Sequence, residues 1–357
     1  MVKLTKLLLT TCPGLEDVAI IEVSKLLSIR NYTLRPLGVQ GRIILECNEK
    51  QNYAVQILNS KSHLLHRVSI LLASTKISRK MIALDQIYNF LFKCNIENYI
   101  QPENTFAVRV NRLGLHEYTS IDIAHVAGDA IRELIFKCYG KYPKVNLDSP
   151  EVIVRINIVG ESCLISICTT GDDSLHKRGY RVYNHPAALK PTIAFAMCML
   201  SEISNHMTVI DPMCGGGTIP IECCFLNVNC EIYGMDISPK HVKGAKLNAL
   251  AAGFSHKIKF KIGDAMHLDK LNFNVDRIIS NLPYGMRIGR KAFIKTLYQK
   301  FLKSSKNILS KDNLLTLLTA ESCLLKNIAE KLGYILKKEK IIWHGKLKTS
   351  MIFLELP

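Results

Sequence analysis

The sequence predicts an α/β protein whose second half is a doubly wound, mostly parallel sheet and whose first half is built from α+β units. Three observations lead there. From Met207 onward, short apolar strands alternate with helical stretches at the spacing of strand–helix–strand crossovers. Three successive strands of that half close on a carboxylate, Asp211, Asp236 and Asp264. Upstream, segments of strand character flank two amphipathic helical stretches. At 357 residues, 48% hydrophobic and 22% charged, the chain is long enough for two or three domains and neither disordered nor fibrous.

Taken in order, residues 3–11 read as a strand, a helix opens at Gly14-Leu15-Glu16 and runs to about Leu27, and Tyr32–Val39 and Arg42–Cys47 read as a strand pair. The apolar run Leu7–Leu9 is too brief for a signal-peptide core and belongs to the first strand. Thr105–Val110 is a further strand, Ser120 is the expected cap of a helix over Ile121–Cys138, and two strands follow at Val152–Val159 and Cys163–Thr169. Residues 171–185 lack periodicity and form the expected linker. The strands of the second half are Val209-Ile210-Asp211, Glu231–Asp236, Lys257–Asp264 and Val275–Asn281.

Charge points to the partner. Lys plus Arg exceed Asp plus Glu by 47 − 30 = 17, an imbalance suited to a polyanion. The excess is concentrated: residues 50–84, 174–190 and 286–311 contain no acid, and the last carries eight cations including Arg287, Arg290 and Lys291. No run of eighteen apolar residues exists, so no membrane span is expected. The twelve cysteines show no CxxC pair or clustered ligand spacing. They read as small buried hydrophobes in a reducing cytoplasm, and no metal is expected.

The chemistry-bearing segments all lie at strand ends of the second half. Asp211-Pro212-Met213-Cys214-Gly215-Gly216-Gly217-Thr218 is a strand entering a glycine turn and then a helix. It is not the GxGxxG fingerprint, because Pro220 stands where the third glycine belongs, and it lacks the GK[ST] of a P-loop. An acid just before the turn suits an amine-bearing ligand better than a phosphate. Asp236 is placed to accept from ribose hydroxyls and Asp264 from an adenine amine. Asn281-Leu282-Pro283-Tyr284 offers an amide oxygen and a loop carbonyl for the two hydrogens of an exocyclic amine, with a ring to stack on its base.

These segments resemble the Rossmann-fold S-adenosylmethionine methyltransferases that modify amines through an Asn-Pro-Pro-Tyr motif, with Leu282 replacing the first proline. Leucine keeps the backbone acceptor and is expected to loosen the loop. Upstream, Thr105–Arg109, Ser120–Ala124, Leu175-His176-Lys177-Arg178-Gly179-Tyr180-Arg181 and Ala187-Ala188-Leu189-Lys190 resemble the THUMP-containing RNA methyltransferases. The whole is most similar to the archaeal tRNA guanine-N2 methyltransferases that act at position 6 of the acceptor stem.

That resemblance implies a Rossmann-fold methyltransferase domain with a mostly parallel sheet over residues 186–357, preceded by an α+β ferredoxin-like unit (1–65), a THUMP unit (66–170) and a linker (171–185). It implies S-adenosyl-L-methionine bound by His185, Pro186, Ala187, Ala188, Leu189, Asp211, Met213, Cys214, Gly215, Gly217, Thr218, Asp236, Ile237, Asp264, Ala265 and Asn281. Asn281, Leu282, Pro283 and Tyr284 form the amine clamp. Arg109, Lys177, Arg178, Arg181, Arg287, Arg290 and Lys291 are expected to face tRNA, and the protein to act as a monomer. The alternatives are a guanine-N2 enzyme for another tRNA position, rRNA or small nuclear RNA, an amine methyltransferase for DNA or protein, and a non-catalytic RNA-binding protein with a degenerate cofactor fold.

Overall fold

The computed structural model describes residues 4–284 and 291–357. They form two compact units, one ending at Leu175 and the other running from His176 onward together with Cys12–Leu15.

The first unit contains β1 (Thr5–Thr11), α1 (Glu16–Ser24), β2 (Ile29–Leu34), β3 (Arg42–Cys47), α2 (Gln51–Lys61) and β4 (Leu65–Lys76). It continues with α3 (Ala83–Leu91), β5 (Thr105–Leu113), α4 (Ser120–Tyr139), β6 (Lys144–Val145), β7 (Val152–Val159) and β8 (Ser162–Cys168). The strands form one sheet in the order β2-β3-β1-β4-β8-β7-β5-β6. β4 pairs antiparallel with β1 on one side and β8 on the other, so a single sheet runs through the expected boundary at 65/66. The helix α4 buries Ile123, Ala127, Ala130, Ile131 and Leu134, a one-sided stripe at helical spacing. Its cap is Thr119 rather than Ser120: the Thr119 hydroxyl accepts from the Asp122 amide, while the Asp122 carboxylate accepts from the Thr119 amide. Only the residue one step outside the helix has the extended backbone that aims its oxygen at that amide.

The second unit contains α5 (Pro191–Leu200), β9 (Thr208–Asp211), α6 (Thr218–Cys224), β10 (Glu231–Asp236), α7 (Pro239–Ala251) and β11 (Ile258–Ile262). After β12 (Val275–Asn281) come α8 (Lys291–Ser305), β13 (Leu309–Thr319), α9 (Ser322–Lys331), β14 (Ile335–His344) and β15 (Leu347–Glu355). The order is β11-β10-β9-β12-β13-β15-β14. The first five strands are parallel, and β15 and β14 complete the sheet antiparallel. Successive strands run one way from β9 to β11 and the other way from β12 to β13. Right-handed crossovers therefore place α6 and α7 on the face opposite α8. The chain reverses between β9 and β12, and a crevice opens at that point beyond the strands' carboxyl ends. Beneath it, α8 buries Ile294, Leu297, Tyr298, Phe301 and Leu302 in the core. No helix among the described residues is long and apolar enough to cross a membrane.

Candidate active site

Four neighbouring parallel strands deliver their carboxyl ends to one cavity of about 700 Å³. Asp211 ends β9, Asp236 ends β10, Asp264 lies two residues beyond β11, and Asn281 ends β12. Each of the four lines the cavity, as do Leu282, Pro283 and Tyr284. So do the cofactor residues expected from sequence, with the exception of Gly217. Gly217 stands behind the wall, where its φ of +78° makes the turn into α6. A Cβ there would come within 3.0 Å of the Ala245 Cβ and 3.2 Å of the Phe260 ring, so the turn sits against α7 and β11 only because the residue is glycine.

The carboxylates are fixed by short local contacts. Asp211 Oδ1 accepts from the Ser280 hydroxyl at 2.7 Å and the Met213 amide at 3.1 Å. Burial pushes its carboxyl up to about 7, and the neighbouring Asp236 charge adds to the rise. Asp236 accepts from the Gly215 amide at 2.9 Å and the Ser238 amide at 2.9 Å, which ties the glycine turn to the end of β10. Asp264 accepts from the Met266 amide at 2.9 Å. His185 lies edge-on to His241, with centroids 4.3 Å apart, and burial holds its imidazole below the usual range.

The Asn281–Tyr284 loop is anchored on both sides. The Leu282 amide donates to the Leu318 carbonyl at 2.9 Å, and the Pro283 carbonyl accepts from the Tyr298 hydroxyl at 2.9 Å. Leu282 is fully buried. The expected loosening is therefore corrected: leucine contributes an N–H that proline lacks, and that donor pins the loop to β13. The Tyr284 hydroxyl donates to Asn281 Oδ1 at 3.2 Å, which fixes the orientation of the amide.

Residues 178–350 match the RMKL-like methyltransferase-domain family model, and residues 83–168 match that of the THUMP domain. The chain is 36% identical to the tRNA (guanine(6)-N2)-methyltransferase of Archaeoglobus fulgidus over 97% of its own length and 91% of that protein's. It belongs to the THUMP-containing tRNA guanine-N2 methyltransferases. Its identity to the Methanocaldococcus jannaschii tRNA (guanine(6)-N2)-methyltransferase is 34%, covering 97% of this chain and 99% of that one. The crystal structure of TrmN from Thermus thermophilus superposes with a TM-score of 0.83 at 27% identity, covering 99% of this chain and 100% of that one.

S-adenosylmethionine, the cofactor of this methyltransferase family, fits the cavity on chemical grounds. The lining offers three carboxylates, acceptors of the kind that a ligand with a cationic amine, ribose hydroxyls and a purine amine requires, and the volume lies within the range of small-molecule sites. Sequence reasoning missed Pro212, Gly216, Ile219, His241, Met266, Phe293 and Leu297 in the lining. Of these, Gly216 carried a signal, being the middle of three glycines. Phe293 and Leu297 stand one helical turn apart on α8, a spacing that ordinary core positions share.

The expected RNA-facing residues fare differently. Arg178 makes a bidentate ion pair with Glu222, at 3.1 and 3.3 Å, and Glu222 is fully buried and also accepts from Tyr180 at 2.7 Å. Arg181 donates to the Leu189 carbonyl and, at 3.4 Å, to Thr218. Both guanidiniums are engaged inside the methyltransferase unit. Arg109 donates to the Leu147 carbonyl at 2.7 Å and pairs with Asp172 at 3.3 Å, while Lys177 is exposed. Arg287 and Arg290 lie outside the described residues, and Lys291 opens α8. Arg178→Ala strands a buried carboxylate, a loss of about 3–5 kcal/mol and about 10 °C of melting temperature. Calorimetry is expected to show that drop, with the salt dependence of tRNA binding unchanged.

Proposed function

We propose that this protein transfers a methyl group from S-adenosylmethionine to the N2 amine of a tRNA guanine, at position 6 of the acceptor stem. The observation that carries the reading is the meeting of three carboxylates and the Asn281–Tyr284 loop in one cavity. The family membership supports RNA as the substrate class, and the two archaeal relatives' names support the position.

When bound, S-adenosylmethionine supplies an electrophilic methyl group on a sulfonium. Asp211 neutralises the ligand's amine, Asp236 holds the ribose and Asp264 accepts from the adenine amine. Asn281 Oδ1 and the Leu282 carbonyl accept the two N2 hydrogens of guanine. This draws the amine's lone pair out of conjugation and toward the methyl carbon, and N2 gives up one of its two protons to solvent once the new C–N bond has replaced the sulfonium's C–S bond. Because the loop is pinned at Leu318 and Tyr298, the acceptors are positioned before the base arrives, and proximity of this kind can contribute about 7–11 kcal/mol. Tyr284 stacks on one face of the base. Phe293 is 53% exposed although the rest of its helical stripe is buried, and it lines the same cavity as an apolar surface for the base. A paired guanine must leave its helix to enter, at a cost of a few kcal/mol. Phe293→Ala is expected to raise the KM for tRNA about tenfold, the value of one aromatic–base contact, with the KM for cofactor unchanged.

The test is methylation of an unmodified tRNA transcript with labelled S-adenosylmethionine, followed by mass-spectrometric mapping of the product nucleoside. N2-methylguanosine at position 6, absent when that guanine is replaced by adenine, is the expected result. Product at another guanine overturns the position, and cofactor binding without transfer to any RNA supports the non-catalytic reading.

A further inference from the structure

We propose that Asn248 is a positioning residue for the cofactor, a clasp on α7 that fixes the Tyr183–His185 segment as one wall of the cavity. The segment has no helix or strand to hold it. Asn248 holds it instead. Its Oδ1 accepts from the Tyr183 amide at 2.7 Å, and its Nδ2 donates to the Tyr183 carbonyl at 3.0 Å and to the Gly216 carbonyl at 2.8 Å. One side chain, 2% exposed, thereby joins both backbone groups of Tyr183 to the glycine turn. The amide orientation follows from the partners, since a backbone N–H must meet oxygen and two carbonyls must meet N–H.

Two further contacts carry the clasp to the cavity. The Tyr183 hydroxyl is hydrogen-bonded to His241 Nδ1 at 2.7 Å, and the His241 ring meets His185 edge-on. Both histidines line the cavity, and the His185 ring lies 3.3 Å from where a Cβ on Gly215 would stand. The Tyr183 ring in turn packs on α7 at Gly244, where a Cβ would fall 2.2 Å from its Cδ1. The helix is bare at that residue so that the ring can lie flat on it.

The inference rests on the reading that the cavity holds S-adenosylmethionine, and its test separates the two. Asn248→Ala removes the amide, and Gly244→Ala displaces the Tyr183 ring while leaving Asn248 intact and favouring the helix. In each, titration calorimetry is expected to give a dissociation constant for S-adenosylmethionine raised about tenfold or more, because two carbonyls or the wall they hold lose their partners. Binding of tRNA is expected to stay within about twofold and kcat at saturating cofactor to be largely retained, a split that general destabilisation does not produce. If Asn248→Ala fails to fold, Gly244→Ala decides alone. Unchanged cofactor affinity in a folded variant, or equal loss of cofactor and tRNA binding, overturns the clasp. A wild-type protein that does not bind S-adenosylmethionine overturns the underlying reading instead.

Discussion

Asn281→Ala is expected to lower kcat for tRNA methylation at least about a hundredfold while leaving cofactor affinity within a few-fold of wild type. The amide oxygen is one of two acceptors that hold the nucleophilic nitrogen, and misplacement of a reacting atom by about 1 Å can cost a factor of about a hundred. Asn281 lies at the end of β12, and the Tyr284 hydroxyl fixes its amide from 3.2 Å. The Asp236 and Asp264 contacts to the strand ends on the other side of the switch point do not pass through it. Single-turnover kinetics with calorimetric titration separates the two effects. A variant with full turnover would end the assignment of this loop as the amine clamp, whereas equal loss of turnover and cofactor affinity would move Asn281 to the cofactor.

Asp211→Asn is expected to weaken S-adenosylmethionine binding and to stabilise the cofactor-free protein. In the free protein burial raises the Asp211 carboxyl to about 7, against 3.8 for a solvated one. A cationic ligand favours the ionised form, so below about pH 7 binding must expel a proton. Apparent affinity then falls by up to about tenfold per pH unit toward pH 5. The stability effect has the opposite sense. As pH rises from about 4 to 7, the unfolded chain has released this proton and the folded chain still holds it, so folding stability declines across that window and levels off above it. At about 1.4 kcal/mol per pH unit, the displacement from 3.8 to about 7 amounts to about 4 kcal/mol as an upper bound. The amide introduced by Asp211→Asn keeps an acceptor for Ser280 and Met213 but carries no charge. Melting temperatures measured between pH 5 and 8 should therefore fall for the wild type relative to the variant. Parallel curves would show that Asp211 is ionised throughout.

The catalytic half was legible because its signals are local. A strand pattern followed by an acid or an asparagine reports directly where a side chain emerges, and parallel pairing brings those ends together. What escaped depends on partners distant in sequence. The Leu318 carbonyl that holds the Leu282 amide lies 36 residues on, and nothing near leucine announces it. Glu222, which claims Arg178, is 44 residues away and sits among the apolar residues of α6. The same limit hid β4 itself and its pairing with both β1 and β8, since its burial does not alternate along the strand and its neighbours are distant in sequence. The helix α2 buries only Ala54 and Leu58, too sparse a stripe to mark it.

The account is tested most directly by a crystal structure with S-adenosylhomocysteine bound. It predicts the adenine amine on Asp264, the ribose hydroxyls on Asp236, and the sulfur turned toward Asn281 and Tyr284 with room for a purine between. A ligand that binds outside this cavity, or that turns its sulfur away from the Asn281 loop, would contradict it.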